Sequence, residues 1–109
     1  MLAGYGFAEV VGLRGPFLST RIRSGIGVWG PDIIYPPHHH RADETYVVLA
    51  GAAEFTVGEG AGASVSMRTA GDVVHVPSMT PHGFRTGEDP LVVLYMWQGA
   101  GLREKSSFD

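Results

Sequence analysis

Two histidines and a glutamate are spaced so that they can meet around one metal ion. Residues 35–46 read YPPHHHRADETY. Side chains alternate between the two faces of a β-strand, so His38 and His40 share a face while His39 points to the other. Glu44 follows after a short turn. Imidazole and carboxylate are ligands of divalent iron, manganese, zinc and nickel, so the segment predicts a divalent transition-metal site. The alternative is a solvated loop or a weak surface metal patch.

A second segment adds a histidine at the start of a predicted strand. Residues 71–77, GDVVHVP, read as a turn, a strand and a stop, and His82 follows them. The direction of His75 within this segment is open, and a packing role is the preferred interpretation. The chain has no cysteine, which excludes disulfides, thiolate nucleophiles and cysteine-ligated zinc. The candidate chemistry therefore depends on histidine and carboxylate side chains.

Short apolar runs, separated by frequent glycines and prolines, surround these candidate ligands. The chain has 16 glycines and 7 prolines, and the runs between them are rich in Val, Ile, Phe, Tyr and Thr. This pattern is typical of an all-β domain, and no window of about eleven residues has helical apolar spacing, so no substantial helix is expected. The predicted strands are Ala8–Leu13, Phe17–Ile26, Gly27–Tyr35, Thr45–Ala50, Ala52–Val57, Ser64–Thr69, Asp72–Val76, His82–Thr86 and Leu91–Trp97.

The size of the chain predicts one domain. Its 109 residues leave no room for a second. We expect a single domain over residues 1–109, with a core at about 7–99 and a polar C-terminal tail at 100–109, of which Arg103–Asp109 frays. Gly51, between two predicted strands, marks a sharp turn or a bulge.

Charge and hydropathy narrow the classes of partner. The net charge is −3 and the pI is about 5.9, so there is no basic footprint for nucleic acid or for an anionic membrane. The longest apolar runs are too short to cross a bilayer. The N-terminal residues lack the pattern of a signal peptide. We therefore expect a soluble, cytoplasmic protein that has neither nucleic acid nor a membrane as a partner.

Both histidine segments resemble the two motifs of the cupin superfamily. The spacing H-x-H-x3-E-x6-G is matched at His38, His40, Glu44 and Gly51. The spacing G-x5-P-x-G-x2-H-x3-N is matched at Gly71, Pro77 and His82. Met79 stands where the second motif has Gly, and Thr86 stands where it has Asn. The resemblance implies a double-stranded β-helix, or jelly-roll barrel. It also implies one divalent metal in the mouth of the barrel, bound by His38, His40, Glu44 and His82.

A longer pattern resembles a subgroup of cupins, the dimethylsulfoniopropionate lyases. It reads Y-P-x-H-x-H-x3-E-x-Y, with a later L-Y-x-W-x-G, over roughly residues 30–99. Such enzymes cleave a sulfonium zwitterion to dimethyl sulfide and acrylate. By this resemblance Tyr46, on the face of Glu44, is the candidate catalytic base, and Tyr35 positions the substrate or is an alternate base. The resemblance also implies a small-molecule carboxylate as the substrate. The family's enzymes commonly carry an extra N-terminal, largely helical segment that this sequence lacks, so we expect an open cavity mouth and weak activity. The alternative is that a neighbouring subunit covers the mouth.

Three aromatic residues are candidates for holding the cationic sulfonium. Tyr95, Trp97 and Trp29 can do so by cation–π attraction, although core packing explains such residues about as often. Two other functions stay open: a different metal-cupin enzyme, such as an iron dioxygenase, and a non-catalytic cupin that binds a small ligand. A homodimer is the default that the cupin resemblance implies.

Overall fold

Strands and short turns make up nearly all of the structure. The computed structural model describes residues 4–13, 15–102, 104 and 106–107. Within these ranges one short 3-10 turn, Gly60–Gly62, interrupts the strands. The strands are β1 (Tyr5–Gly12), β2 (Phe17–Leu18), β3 (Ile22–Trp29), β4 (Ile34–His38), β5 (Asp43–Ala50), β6 (Ala52–Val57), β7 (Ser64–Thr69), β8 (Val73–Val76), β9 (His82–Thr86) and β10 (Leu91–Gln98).

The strands form two sheets that enclose one core. A six-stranded sheet has the order β2-β1-β3-β10-β5-β8, and a four-stranded sheet has the order β4-β9-β6-β7. All pairings are antiparallel except the short β1–β2 pair. Inward-facing side chains of both sheets make the core, because alternate residues of each strand face the opposite sheet. Its largest fully buried members are Trp29, Leu91, Val48, Val76 and Val93. This is the jelly-roll architecture that the sequence predicts.

The boundaries of the predicted strands Phe17–Ile26 and Gly27–Tyr35 are wrong, because the chain breaks between β2 and β3 and again between β3 and β4. The sequence predicts a break between Ile26 and Gly27, but β3 runs unbroken from Ile22 to Trp29. The glycine has a packing role instead: a Cβ on Gly27 would lie 2.6 Å from the ring of Trp29. Its missing side chain therefore makes room for the indole inside the barrel.

The turn predicted at Gly51 is confirmed. Gly51 has φ +80°, and it joins β5 of the six-stranded sheet to β6 of the four-stranded sheet. A Cβ at this position would overlap the carbonyl oxygen of Pro90. Both the positive φ and the close approach therefore require glycine at this corner of the barrel.

The C-terminal segment packs on the barrel, so its predicted fraying is wrong for the described residues. Leu102 is buried. Ser107 and His39 form an isolated antiparallel bridge, in which each backbone N–H donates to the other's carbonyl oxygen at 2.8 Å. Among the described residues, no helix is long and apolar enough to cross a membrane.

Candidate metal centre

Three buried histidines meet at one end of the barrel. His38 ends β4, His82 begins β9, and His40 lies in the connection from β4 to β5. One ring nitrogen of each lies within 4.8 Å of the other two. The predicted sharing of a face by His38 and His40 is therefore observed, and His82 joins them because it pairs directly with His38 across the four-stranded sheet.

The outer nitrogen of each of these imidazoles is bound to the backbone. Each Nδ1 lies 2.8–2.9 Å from the carbonyl oxygen of a residue two positions away. The three carbonyls belong to Pro36, Ala42 and Thr80. A carbonyl oxygen only accepts hydrogen bonds, so Nδ1 carries the hydrogen and donates it. The Nε2 lone pair of each neutral ring is then left for a metal.

Glu44 completes the set of electron-pair donors. Its Oε1 lies 2.9 Å from Nε2 of His40 and 3.1 Å from Nε2 of His82. A neutral ring whose hydrogen is on Nδ1 has none to donate from Nε2. The lone pairs of both Nε2 atoms therefore face the lone pairs of Oε1 and repel them. Either a proton on each ring or one cation bound between the donors must offset this repulsion. Nitrogen and carboxylate ligands gathered in this way fit a divalent transition metal.

The electrostatics of the site favour the ligand forms of these groups. Burial acts to raise the pKa of Glu44, but hydrogen bonds from His40 and His82, which require a proton on each Nε2, outweigh it and lower that pKa to about 2. Burial, with the nearby His82, lowers the pKa of His38 to about 4. At pH 7 Glu44 is therefore an anion and His38 is neutral, which are the forms that bind metal.

A bulge formed by two prolines sets the direction of His38. Strict alternation would place Tyr35 and His38 on opposite faces of β4, since they are three residues apart. The pairing of β4 with β9 shifts register between them, and both side chains are buried. Pro36 and Pro37 occupy the shift, where no backbone N–H is needed for the ladder. Tyr35 and the first histidine can therefore both face the cavity.

Both departures from the second cupin motif have a visible structural consequence. Met79 has φ +61°, the conformation that explains why the motif has glycine there, and its backbone N–H donates to the carbonyl oxygen of His40 at 2.8 Å. Thr86 accepts the N–H of Ile33 at 2.7 Å and donates to the carbonyl oxygen of Gly30 at 2.7 Å. The Met79 contact holds the turn beside the site, and the Thr86 contacts hold the connection between β3 and β4 at the other end of β9.

A cavity of about 240 Å³ opens beside the donors. One wall of the cavity is the six-stranded sheet. In its strand register, Trp97 of β10 lies between Glu44 of β5 and Arg23 of β3, and Tyr95 lies beside Tyr46 of β5. Trp97 also lies against the ring of His40, with centroids 4.1 Å apart. The lining residues are Phe7, Arg23, Tyr35, His38, Glu44, Tyr46, Tyr95, Trp97 and Ser106.

Both candidate tyrosines are buried beside the carboxylate. Burial, then the charge of Glu44, raises the pKa of Tyr46 well above its ordinary value. Burial also raises the pKa of Tyr35, with contributions from Tyr5 and Glu44. Both phenols are therefore protonated at neutral pH unless positive charge is present in the site.

The structure separates the three predicted sulfonium-binding aromatics. Tyr95 and Trp97 line the cavity. Trp29 does not, and its assignment is corrected: it is fully buried in the core, edge-to-face with Phe84 at a centroid distance of 4.7 Å. Its strand partner is Leu91, at the end of β10 away from Trp97. Trp29 is thus a packing residue.

Cavity residues that the sequence did not suggest include Phe7, Arg23 and Ser106. Arg23 could have been found from strand alternation, because it lies an even number of residues from the inward-facing Trp29 on the same strand and so shares its face. Phe7 and Ser106 lie outside the motifs and have no comparable signal.

The two remaining histidines lie outside the cluster. His39 is half-buried and lies apart from the three gathered rings, as alternation predicts. His75 is exposed on β8, at the end of the six-stranded sheet, so the packing role preferred from the sequence is wrong. Its neighbours Val74 and Val76 occupy the buried face.

Two solved structures share this fold. The crystal structure of the dimethylsulfoniopropionate lyase DddQ from Ruegeria pomeroyi matches with a TM-score of 0.88 and 31% identity, over 96% of this chain and 51% of that one. An oxalate decarboxylase of Bacillus subtilis matches with a TM-score of 0.80 over 100% of this chain and 29% of that one. At 20% identity the second match shows the fold alone. Both support the cupin fold.

Sequence comparison identifies the family. The curated DddQ of Ruegeria pomeroyi is 36% identical over 90 residues, 83% of this chain and 43% of that protein. The putative lyase DddL of Cereibacter sphaeroides is 29% identical over 101 residues, 91% of this chain and 40% of that protein. This chain thus spans less than half the length of these curated relatives. Residues 1–93 match the family model described as dimethylsulfoniopropionate lyase, and the chain belongs to that family.

Proposed function

We propose that this protein is a metal-dependent lyase that eliminates dimethyl sulfide from dimethylsulfoniopropionate and leaves acrylate. The observation that carries the proposal is the position of two buried tyrosines, Tyr46 and Tyr35, on a cavity beside the cluster of three histidines and Glu44. An elimination needs a proton acceptor and a group that stabilises negative charge, and this cavity has candidates for both.

We propose that one divalent metal binds through His38, His40, Glu44 and His82. Iron, manganese, zinc and nickel all suit this ligand set, because each accepts imidazole and carboxylate. When bound, such a metal supplies positive charge that stabilises the carboxylate of the substrate as charge develops beside it. The three Nδ1 contacts with backbone carbonyls support the assignment, since they hold the rings with Nε2 turned inward.

Tyr46 is the proposed base. Its phenolate oxygen would take a proton from the carbon next to the substrate carboxylate. The electron pair of that C–H bond becomes the new C=C bond, and the C–S pair leaves with neutral dimethyl sulfide. Tyr46 is 3% exposed and pairs across the sheet with Tyr95, so water has little access to the oxygen. Exclusion of water keeps the base and the substrate in fixed orientation.

The other cavity aromatics have proposed binding roles. Tyr35 lies 4.5 Å from the ring of His38, between centroids, and can position the substrate or act as an alternate base. Tyr95 and Trp97 can hold the sulfonium through their ring faces. Trp97 is partly exposed in the cavity wall, so one part of its surface is open to a ligand.

The assembly and the location of the protein are also proposals. Exposed apolar side chains on the outer face of the six-stranded sheet support a homodimer, and they belong to Val28, Leu49, Val73 and Leu94. The cytoplasmic location stays a prediction from the sequence, as does the single domain over residues 1–109.

One experiment tests the proposed function. Purified protein is analysed for bound metal, loaded with each candidate metal, and assayed for dimethyl sulfide release with and without oxygen. We expect release that depends on metal and does not depend on oxygen. No release with any metal would contradict the lyase. Turnover of another substrate that strictly requires oxygen would instead support a dioxygenase.

A further inference from the structure

A single arginine connects three parts of the cavity rim. Among the described residues that line the cavity, Arg23 is the only lysine or arginine. Its Nε–H donates to Oε1 of Glu9 at 2.6 Å, and its Nη1 donates to the carbonyl oxygen of Leu102 at 2.8 Å. Its guanidinium carbon lies 5.9 Å from the ring centroid of Trp97. One side chain therefore contacts strand β1, strand β10 and the C-terminal segment.

The C-terminal segment reaches the metal centre through several contacts. We call its described residues, 99–102, 104, 106 and 107, the C-terminal strap. Glu104 pairs with Arg41 at 2.6 Å, and Ser107 bridges to the backbone of His39. These contacts flank the candidate ligands on both sides, since Arg41 follows His40 and His39 precedes it. Ser106 lines the cavity. The strap lies beyond residue 93, where the match to the family model ends.

Of the strap's side-chain contacts, the Arg23–Leu102 bond is the least exposed. Leu102 is 7% exposed, and the Arg23 side chain is 29% exposed. The Arg41–Glu104 pair is open to solvent, with side-chain exposures of 56% and 50%. Exposed ion pairs contribute little to stability, whereas a shielded hydrogen bond from a charged donor contributes more. Loss of Arg23 should therefore loosen the strap more than loss of the Arg41–Glu104 pair, while the backbone bridge between Ser107 and His39 still attaches it.

We propose that Arg23 is a positioning residue that joins the C-terminal strap and Trp97 into the wall of the substrate cavity. The inference rests on the proposed function for the identity of the substrate, but the contacts themselves do not. Trp97 contacts both the Arg23 guanidinium and the His40 ring. Fixing its indole fixes the aromatic surface available to a cationic group, and the attached strap places Ser106 in the lining of the same cavity.

The charge of Glu9 fits this role. The proposed substrate carries a cationic sulfonium, which an uncompensated guanidinium in the cavity would repel. Glu9 is 13% exposed at its side chain and forms the ion pair that offsets the charge of Arg23. Arg23 can therefore hold the strap without making the cavity cationic. Glu9→Gln should weaken binding of the sulfonium end of the substrate while leaving the bond from Arg23 to Leu102 in place.

The test compares Arg23→Gln, Arg23→Lys and Glu9→Gln in the full chain, with the exposed Arg85→Gln as a matched control. Backbone hydrogen exchange is measured at Ser107, with Val93 in the core of β10 as an internal reference. In Arg23→Gln we expect exchange at Ser107 to be about tenfold to a hundredfold faster, because a charge-assisted bond is lost. Exchange at Val93 should not change. Arg23→Lys should restore part of the protection, and Arg85→Gln should match the parent.

Kinetics of the metal-loaded protein supply the second readout. Arg23→Gln should raise KM for dimethylsulfoniopropionate by about tenfold with a smaller change in kcat, since a positioning residue acts mainly on binding. Glu9→Gln should raise KM with Ser107 still protected. Unchanged exchange at Ser107 in Arg23→Gln would overturn the proposal, as would faster exchange with a normal KM. Faster exchange together with no dimethyl sulfide release from the parent would overturn the proposed function while leaving the link between Arg23 and the strap intact.

Discussion

The two ends of the barrel use the same strands for different purposes. At one end, which we call the packed end, inward side chains of β3, β5 and β10 are 0–1% exposed: Trp29, Val48, Leu91 and Val93. At the other end, the mouth, inward positions of the same strands carry Arg23, Glu44 and Trp97. Register connects the ends, because Leu91 pairs with Trp29 and Trp97 pairs with Arg23 along one β3–β10 ladder.

The comparison shows how the polar groups of the mouth, which repel one another, are held in a fixed geometry. The packed end has fully buried apolar side chains, and close-packed side chains of this kind resist sliding of one strand past another. The mouth gathers three imidazoles and an ionised carboxylate, whose mutual contacts become favourable only with added positive charge. A rigid packed end therefore supports the donors that the mouth cannot hold in place by apolar packing. Changes at the mouth should affect metal and turnover, and changes at the packed end should affect stability.

The largest expected effect is loss of metal at the mouth. His82→Ala or His40→Ala removes one of the gathered Nε2 donors, so we expect bound metal to fall by more than about tenfold while the barrel stays folded. Elemental analysis and circular dichroism measure the two quantities. His39→Ala and the exposed His75→Ala are the matched controls and should retain metal. Full occupancy in either ligand variant would remove that residue from the site.

Tyr46→Phe should lower turnover strongly without removing metal. Phenylalanine keeps the ring but lacks the ionisable oxygen, so kcat should fall about 10²–10⁴-fold, the usual contribution of a general base. Tyr35→Phe should produce a smaller loss, divided between KM and kcat, if it positions the substrate. Steady-state dimethyl sulfide release measures both. Near-normal activity in Tyr46→Phe would make Tyr35 the leading candidate base.

Two tryptophans allow the ends to be compared with one residue type. Trp29→Ala empties a fully buried position at the packed end, so we expect the free energy of unfolding to fall by about 3–5 kcal/mol. Trp97→Ala at the mouth should cost less stability, because its side chain is only partly buried, and should mainly weaken substrate binding. Chemical denaturation and KM measurements separate the two. Equal loss of stability would contradict the proposed division of roles.

Local spacing was enough to predict most of the candidate ligands. His38 and His40 follow from strand alternation, and Glu44 returns to the same face after a short turn, so few residues of chain geometry are involved. His82 is 42 residues from His40 in the chain, and only the motif resemblance connected them. The turn at Gly51 was also predictable, because its positive φ is a local property of one residue.

Long-range register explains what the sequence did not predict. Trp29 and Trp97 are alike in residue type and strand setting, and only the β3–β10 pairing shows that they lie at opposite ends. The bridge from Ser107 to His39 spans most of the chain, so local composition suggested a fraying tail. Gly27 was predicted to begin a new strand, because its contact with the Trp29 indole, which explains the glycine, is visible only in three dimensions.

The smallest expected effect concerns the backbone turn next to the mouth. Met79 is 53% exposed and has φ +61°, a conformation that disfavours non-glycine residues by about 1–2 kcal/mol. Met79→Gly relieves that strain, but glycine also gains entropy in the unfolded chain, so we expect a net stabilisation of at most about 1 kcal/mol. The exposed Met67 lies within strand β7, where glycine lacks this advantage, so Met67→Gly should destabilise the protein by about 0.5–1 kcal/mol. Opposite signs in chemical denaturation would identify the backbone conformation as the cause, whereas destabilisation by both substitutions would show that the Met79 side chain contributes contacts that outweigh the strain.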